Sequence, residues 1–448
     1  MKWIREDVFK LTLPIFAEQL FVISLGTINT MMAGHIGKEA VSATGMVDSV
    51  NNIFIAFFSA LAVGGTVVVA QYIGQKNVKK ANDAMKQALF SGLLISFVIT
   101  IAMWIFKSQL ISVLFGQADK KIISDTHIYL GITLLTYPLI TIDLVSNGIL
   151  RGAGDTKTPM KITIFMNFIN VIFTFLFINV FNMGITGAAL GIAIARITGG
   201  IIILIILIRG SKIIKLNKIR EFRFDRELLR PIFSVGIPAS VESLLFNGGK
   251  LITQIFIVDM GTTAIAANSI ASSIANLVNV PGNSLCTAAT ALVGQKMGRG
   301  SKKEASEVLN YIVKLATVLL VIVGFIMIPL SGTVSALYTN NHDIIKLSSI
   351  VVIANSLCIP IWSIAFVMPA GLKGAGDAKY TMVTTMIGMW AFRITMGYLL
   401  GVPLKLGLLG VWMGMFIDWL VRGILYLMRF KSGKWLRHSV IKPAKEAI

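Results

Sequence analysis

The chain has 448 residues, of which 55% are hydrophobic and only 14% are charged, and its mean hydropathy is +0.79. A soluble domain carries about 25% charged residues, so this composition excludes an ordinary soluble protein. The formal net charge of +20 would suit a nucleic-acid-binding protein. The basic residues are placed differently, however, because they fall in the short loops between long apolar stretches.

These apolar stretches have the length of membrane-spanning helices, about 20 residues. The hydrocarbon core offers no water to backbone groups, so such stretches must be helical. Their continuous Leu, Ile and Val content lacks the alternation that a transmembrane β-barrel requires. The predicted fold class is therefore an all-α membrane protein with twelve transmembrane helices. In chain order, they lie at about 9–33, 49–73, 86–106, 124–149, 162–182, 186–208, 231–257, 264–292, 308–330, 346–370, 380–402 and 406–428.

The second half of the chain repeats the first. The segment LRGAGDTK at 150–157 returns as LKGAGDAK at 372–379, which is 222 residues later. Other pairs keep nearly this offset: Pro14-xxx-Glu18 with Pro238-xxx-Glu242, Ile73–Lys76 with Val293–Lys296, and Gly184-xx-Gly187-xxx-Gly191 with Gly407-xx-Gly410-xxx-Gly414. Six helices per half is an even number, so both halves enter the membrane from the same side and the repeat is parallel.

The basic residues also predict the orientation. Most of the 41 Lys and Arg residues lie in alternate loops, on the side that holds both termini. By the positive-inside rule this side is cytoplasmic, and its charge can also hold anionic lipid. We therefore expect a multi-pass protein of the cell (plasma) membrane, monomeric, with no nucleic-acid partner. The predicted domains are an N-terminal six-helix lobe at 1–211, a cytoplasmic linker at 212–227, a C-terminal six-helix lobe at 228–430 and a cytoplasmic tail at 431–448.

The sequence carries no signature of catalysis. Cys286 and Cys358 lie in apolar stretches, as small core residues do. The four histidines are scattered without partners at metal-ligand spacing, and no GxxxxGK[ST] loop occurs. We expect no cofactor and no enzyme activity, and we expect an ion gradient to drive any transport.

Several motifs resemble those of the multidrug and toxic compound extrusion (MATE) transporters, over essentially the whole chain. In order, they are Met32-Ala-Gly34-His-Ile-Gly37, Leu150-Arg151-Gly152-Ala-Gly154-Asp155 through Met160, Gly236-Ile-Pro238 through Glu242, Gly410-Val-Trp412 and Asp418 through Arg422. The resemblance implies two six-helix lobes around a central cleft. It also implies export of bulky, often cationic, organic compounds, coupled to H⁺ or Na⁺.

We interpret most of these motif residues as structural. Gly152 and Gly154 permit a tight turn, and Asp155 is placed to cap the next helix. Gly376 and Asp377 repeat this arrangement in the second half. Asp418 and Arg422 are four residues apart on one helix, which favours an intrahelical ion pair. The positions with this interpretation are Gly34, Gly37, Arg151, Gly152, Gly154, Asp155, Pro238, Gly376, Asp377, Asp418 and Arg422.

Glu242 is the leading candidate for the coupling site. It lies about eleven residues into its helix, roughly 16 Å along it and so near the membrane middle, and Pro238 one turn earlier permits a kink. An ionisable group at that depth is a functional candidate, able to bind a proton or Na⁺, and the resemblance places a cation-site glutamate at this position. The alternative is a structural pair with Lys250 or Arg393. Glu18, its counterpart in the first half, is the second candidate.

The chain also departs from the family pattern. Where the family often has an aspartate in its first helix, this sequence has Asn29, and two other family aspartates align with Thr174 and Trp362. Coupling therefore depends on Glu242 and Glu18, with Asp143 near the cytoplasmic interface. The candidates for substrate contact are Asn29, Asn167, Asn170, Thr174, Phe246 and Asn247.

Three other classes compete with an antiporter. A flippase for lipid-linked precursors has the same architecture but needs several unpaired basic residues in its cleft. An intramembrane enzyme needs a metal-spaced or facing catalytic set, and none is visible. A channel would not need duplicated lobes with a buried acid.

Overall fold

In the computed structural model, the described residues are 2–441 without 35, 117, 118, 212 and 218. The side chains at 2, 3, 25–31, 33, 34 and 38 also lie outside the description, and Asn29 is among them. Every regular element in the described part of the chain is a helix, as the composition predicts.

The first half of the chain forms eight α-helices. They are α1 (Lys2–Gly34), α2 (Lys38–Gly74), α3 (Val78–Ile105), α4 (Lys107–Phe115), α5 (Lys120–Leu135), α6 (Tyr137–Ala153), α7 (Lys157–Phe175) and α8 (Gly184–Arg209). The last turns after α7 are π-helical, over Leu176–Val180. A short 3₁₀ turn at Ile219–Glu221 follows in the basic segment between the halves.

The second half forms nine α-helices, several of them joined by π-helical turns. They are α9 (Arg226–Val258), α10 (Thr262–Val278), α11 (Val280–Gly298), α12 (Lys302–Ala336), α13 (His342–Trp362), α14 (Met368–Ala375), α15 (Ala378–Met386), α16 (Thr395–Gly401) and α17 (Gly407–Lys431). The π-helical turns are Ser363–Val367 and Ile387–Ile394, and a 3₁₀ turn at Lys434–Arg437 follows α17.

The predicted spans coincide with these helices once interrupted helices are taken together. Prolines explain two interruptions, because Pro138 lies in the first turn of α6 and Pro281 in that of α11, where a missing N–H costs nothing. The α5–α6 pair is bent by 49°. By length and apolar composition alone, eight described helices can cross a membrane, or nine with this bent pair. Several of the other predicted spans are broken into shorter helices.

The structure divides into two compact units, each with its own apolar core. The N-terminal unit comprises Ala17–Ile73 and Asn77–Gly236, and the C-terminal unit comprises Met1–Phe16, Gly74–Lys76 and Ile237–Ile448. Both α1 and α9 therefore contribute residues to both units. The lobe and linker boundaries predicted from the sequence stay a prediction.

The same close helix contact occurs in both units. A Cβ on Gly152 of α6 would lie 2.6 Å from the carbonyl oxygen of Thr66 in α2. A Cβ on Gly374 of α14 would lie 2.5 Å from the carbonyl oxygen of Thr290 in α11. Only glycine permits this approach, which is a common way for membrane helices to pack. The contact fixes the position of the basic residue just before each glycine.

Candidate functional site

Glu242, on α9, forms a largely buried ion pair in the C-terminal unit. Lys373 Nζ donates to Glu242 Oε1 at 2.8 Å, and the two side chains are 19% and 13% exposed. The hydroxyl of Thr385 also donates to Oε1, at 3.2 Å, and that of Thr381 donates to Oε2 at 3.1 Å. Tyr426 extends the network, because its hydroxyl lies 3.0 Å from that of Thr385. The carboxylate therefore sits in a cluster of oxygen atoms beside one ammonium group.

Glu18, on α1, forms the corresponding pair in the N-terminal unit. Arg151 Nη2 donates to Glu18 Oε1 at 2.6 Å, and the hydroxyl of Thr163 donates to the same oxygen at 2.9 Å. Glu18 Oε2 and Arg151 Nε are both buried without a hydrogen-bond partner among the described residues. This site is thus less fully hydrogen-bonded than the site of Glu242.

The two sites are copies of one arrangement. The acid and base are 133 residues apart in the first half and 131 in the second, and the acid and threonine are 145 and 143 apart. The equivalent pairs are Glu18 with Glu242, Arg151 with Lys373, and Thr163 with Thr385. Sequence reasoning assigned Arg151 to a structural turn and did not find these partners. The signal was present, because a basic residue directly precedes both copies of the GAGD motif.

The GAGD turn has the local geometry that its sequence predicts. Gly154 and Gly376 have φ of +96° and +104°, which L side chains rarely adopt. After the first turn, Asp155 accepts from the N–H of Thr158 at 3.1 Å and from its hydroxyl at 2.7 Å. Asp155 therefore binds the N-terminus of α7. Gly37, before α2, also has positive φ, of +139°.

Asp377 differs from Asp155 in its partner. Arg429, near the end of α17, donates from Nε to Asp377 Oδ2 at 2.7 Å and from Nη2 to Oδ1 at 3.1 Å. The Arg429 Nη2 also lies 3.0 Å from Nε2 of His438. A Cβ on Gly376 would collide with the carbonyl oxygen of His438. In the second half, the GAGD turn thus contacts both the end of α17 and the segment that follows it.

Phe246, one turn after Glu242, lies among three cationic side chains. Lys250 Nζ is 4.9 Å from its ring centroid, and the guanidinium carbons of Arg422 and Arg393 are 5.5 and 5.7 Å away. Asp418 neutralises Arg422 through two hydrogen bonds of 2.7 and 2.9 Å. Among the described residues, neither Lys250 nor Arg393 has a carboxylate within ion-pairing distance. Both were candidate partners of Glu242, and Lys373 takes that role instead.

A cavity of about 430 Å³ opens beside Phe246, lined entirely by residues of the C-terminal unit. Its walls include the stacked rings of Trp362 and Phe366, whose centroids are 4.7 Å apart. Trp412 Nε1 donates to Asn268 Oδ1 at 2.9 Å, and Asn268 Nδ2 donates to Gln254 Oε1 at 3.2 Å. No Asp or Glu is among the described residues that line it. The cavity is therefore aromatic, rich in amides and positively charged.

The polar candidates of the N-terminal unit lie on α7. The side-chain amide of Asn167 donates to the carbonyl of Thr163 at 2.8 Å, so it is used within its own helix. Asn170 and Thr174 are buried, and their side-chain oxygens have no partner among the described residues. Thr174 packs directly against Gly191 of α8. Thr174 therefore lies at the contact between α7 and α8 and also brings a hydroxyl group to it.

The remaining candidates are dispersed. In the C-terminal unit, the amide of Asn247 donates to the carbonyl of Ser243 at 2.8 Å, within α9. In the N-terminal unit, Asp143 is buried in α6, and its Oδ1 has no partner among the described residues. The described residues hold no cluster of three His, Cys, Asp or Glu side chains that could bind a metal ion.

Fold and site together define a duplicated helical membrane protein with one buried acid–base pair in each half. Comparisons with known proteins agree. The MatE family model matches residues 14–176 and, a second time, residues 238–399. The probable multidrug resistance protein NorM of Thermotoga maritima is 28% identical, over 98% of this chain and 94% of its own length. The uncharacterized transporter YisQ of Bacillus subtilis is 27% identical, over 97% and 96%.

A solved structure described as the outward-facing conformation of a multidrug resistance MATE family transporter of the MOP superfamily has a TM-score of 0.90 to this chain. It is 21% identical, and the match covers 96% of this chain and 97% of the other. Such structures have twelve helices in two lobes, which confirms the predicted fold class. The chain belongs to the MatE family. It is a multi-pass membrane transporter and not an enzyme.

Proposed function

We propose that the chain is a secondary-active antiporter that exports drug-like organic compounds in exchange for H⁺ or Na⁺. The observation that supports this proposal is the pairing of Glu242 with Lys373 beside Thr381 and Thr385. A proton on Glu242, or Na⁺ among these oxygen atoms, would replace the ammonium group as the partner of the carboxylate. Oxygen ligands of this kind suit hard cations.

Exchange of this kind couples transport to a gradient. A ligand drives a conformational cycle only through its different affinities for the two states. An acid–base pair supplies such a difference. The cation binds Glu242 in the state in which Lys373 has moved away, and it is released in the state in which Lys373 pairs with Glu242 again.

Glu18 is the second carboxylate of the proposed mechanism. Its partner Arg151 carries a planar guanidinium, which holds a carboxylate in a more fixed geometry than a lysine ammonium does. A cation therefore displaces Arg151 less readily than it displaces Lys373. We assign the main coupling role to Glu242 and a supporting role to Glu18.

The substrate of the proposed antiporter is a drug-like compound. NorM and the solved transporter are both named for multidrug resistance. The family resemblance implies that organic cations are among the exported compounds. Asn29, Asn167, Asn170, Thr174, Phe246 and Asn247 stay candidates for substrate contact. A flippase for lipid-linked precursors is the alternative, since Lys250 and Arg393 supply two basic groups to a cavity whose described lining holds no carboxylate. We place the protein in the plasma membrane as a monomer, with both termini in the cytoplasm.

Transport by the purified full-length chain in proteoliposomes tests the proposal. Drug efflux should follow an imposed pH gradient or an imposed Na⁺ gradient, and the gradient that drives it identifies the coupling ion. Counterflow of labelled drug distinguishes a carrier from a channel. Movement of a lipid-linked pyrophosphate with no drug efflux under either gradient would favour the flippase instead.

A further inference from the structure

We infer that the cavity of the C-terminal unit binds aromatic organic anions. Among the compounds that this chain exports, it would therefore favour acidic aromatic ones over the organic cations that the family resemblance implies. The inference rests on the proposed export function, because it names a class of exported compound. The binding that it asserts can be measured without any gradient.

The charge of the cavity carries the inference. Lys250 and Arg393 line it, and no Asp or Glu does so among the described residues. Among the cations around Phe246, Arg422 is paired with Asp418 and donates to both of its carboxylate oxygens. Two cations thus face the cavity with no carboxylate in its described lining, and Asp418, the carboxylate that attracts Arg393, is already paired with Arg422. A bound anion would supply the further negative charge that the lining lacks. An organic cation would add a third positive charge.

The two cations are not part of the duplicated framework. At the offset of 224 residues that relates Glu18 to Glu242, the counterpart of Lys250 is Gly26. At offsets of 222 or 223 residues, the counterpart of Arg393 is Val171 or Asn170. The first half reaches the same fold without charges at these positions. Folding alone therefore does not require them, and a ligand-binding role explains them.

The walls define the rest of the ligand. The stacked Trp362 and Phe366 offer flat apolar surface, and a volume of about 430 Å³ suits a drug-sized compound. Asn279 and Asn355 also line the cavity, and each has a buried Oδ1 without a partner among the described residues. Buried polar atoms normally have partners, so these two indicate a ligand with a hydroxyl or amino donor.

Size and polarity exclude two other anions. A two-chain lipid or a lipid-linked precursor is much larger than 430 Å³. Inorganic phosphate would leave the aromatic walls uncovered. The ligand that uses all of these features is a fused or linked aromatic acid that carries a donor group.

Paired probes of opposite charge test the inference. Calorimetric titration of the detergent-solubilised full-length chain at neutral pH should show 2-naphthoate binding at least about tenfold more tightly than 2-naphthylmethylammonium. Lys250→Gln and Arg393→Gln should each weaken 2-naphthoate binding about tenfold, since each removes one charge-assisted contact. Lys314→Gln is the matched control, because Lys314 is an exposed basic residue of α12 in the same unit but outside the cavity.

A second ligand tests the donor group. The compound 6-hydroxy-2-naphthoate should bind more tightly than 2-naphthoate, and Asn355→Leu should remove that difference. Equal affinity for the two opposite charges, or equal loss of binding in Lys314→Gln, would overturn the inference. Displacement of bound 6-hydroxy-2-naphthoate by phosphate or phosphatidylglycerol, but not by 2-naphthoate, would also overturn the inference. If anion preference fails while gradient-driven efflux persists, the proposed function stands. If efflux fails while anion preference holds, the cavity assignment stands.

Discussion

Lys373 donates a 2.8 Å hydrogen bond to Glu242 across 131 residues of sequence. The pair joins the GAGD turn after α14 to the middle of α9, and Arg151 joins the equivalent turn to Glu18 in the first half. A motif that looks like a simple turn thus also supplies the base for a membrane-embedded acid. The mechanism proposed above depends on that base being displaceable.

Glu242 and Lys373 should be coupled in their effect on stability. Lys373→Gln leaves the carboxylate of Glu242 without its cation, which costs about 2 kcal/mol for a largely buried charged hydrogen bond. In a double-mutant cycle with Glu242→Gln, the two changes together should cost less than their sum. Thermal unfolding in detergent measures each variant. Strict additivity would show that the two side chains do not interact.

The identity of the base should tune transport. Lys373→Arg keeps the charge but offers a fork that holds a carboxylate in two hydrogen bonds. We expect the variant to fold as well as the wild type and to show slower gradient-driven efflux, because the cation displaces the base less readily. Arg151→Lys, the converse change in the other unit, is the matched control and should not slow efflux. Faster efflux in Lys373→Arg would contradict the displacement step.

Asp418 should be needed for folding. Arg422 is 2% exposed, and loss of the Asp418 carboxylate that pairs with it would leave a buried charge unpaired, at a cost of about 3–5 kcal/mol. Asp418→Asn should therefore lower the yield of folded protein, which size-exclusion chromatography of solubilised membranes measures. Asp259→Asn, at an exposed position in the same unit, should have no effect. Normal yield with lost transport would instead assign Asp418 a functional role.

Gly376 should tolerate no side chain. Its φ of +104° strains any L residue, and a Cβ would also strike the carbonyl oxygen of His438. Gly300 has a φ of +80° but open space around it. Gly300→Ala should cost only the backbone strain, about 1 kcal/mol. Gly376→Ala should cost clearly more, as measured by unfolding temperature, and equal costs would show that the tail contact does not matter.

The sequence predicted the fold more completely than the site. Hydropathy and the repeat give the helices, because the bilayer leaves the backbone no other satisfied conformation. The same repeat places Glu18 and Glu242 at equivalent depths. Apolar stretches do not reveal where a helix breaks, so the interruption between α10 and α11 at Asn279 was not predicted.

Side-chain partners were the part that the sequence left open. Lys250, two turns from Glu242 on the same helix, was one of the two alternative partners that the sequence offered, whereas the actual partner is 131 residues away. Ion pairs depend on how helices are rotated about their axes, and periodicity alone does not fix that rotation. The cavity was missed for the same reason, since its lining comes from seven helical segments of the C-terminal unit.

Gradient-driven efflux by Glu242→Gln is the most direct test of the account. The substitution keeps size and hydrogen-bonding capacity but removes the charge that must exchange with a cation. Efflux from proteoliposomes should collapse under both a pH gradient and a Na⁺ gradient, while drug binding persists. Glu18→Gln should lose less activity, and Glu307→Gln, an exposed acid of α12, should behave as the wild type. Wild-type efflux by Glu242→Gln under either gradient would contradict the assignment and point to Glu18 or Asp143.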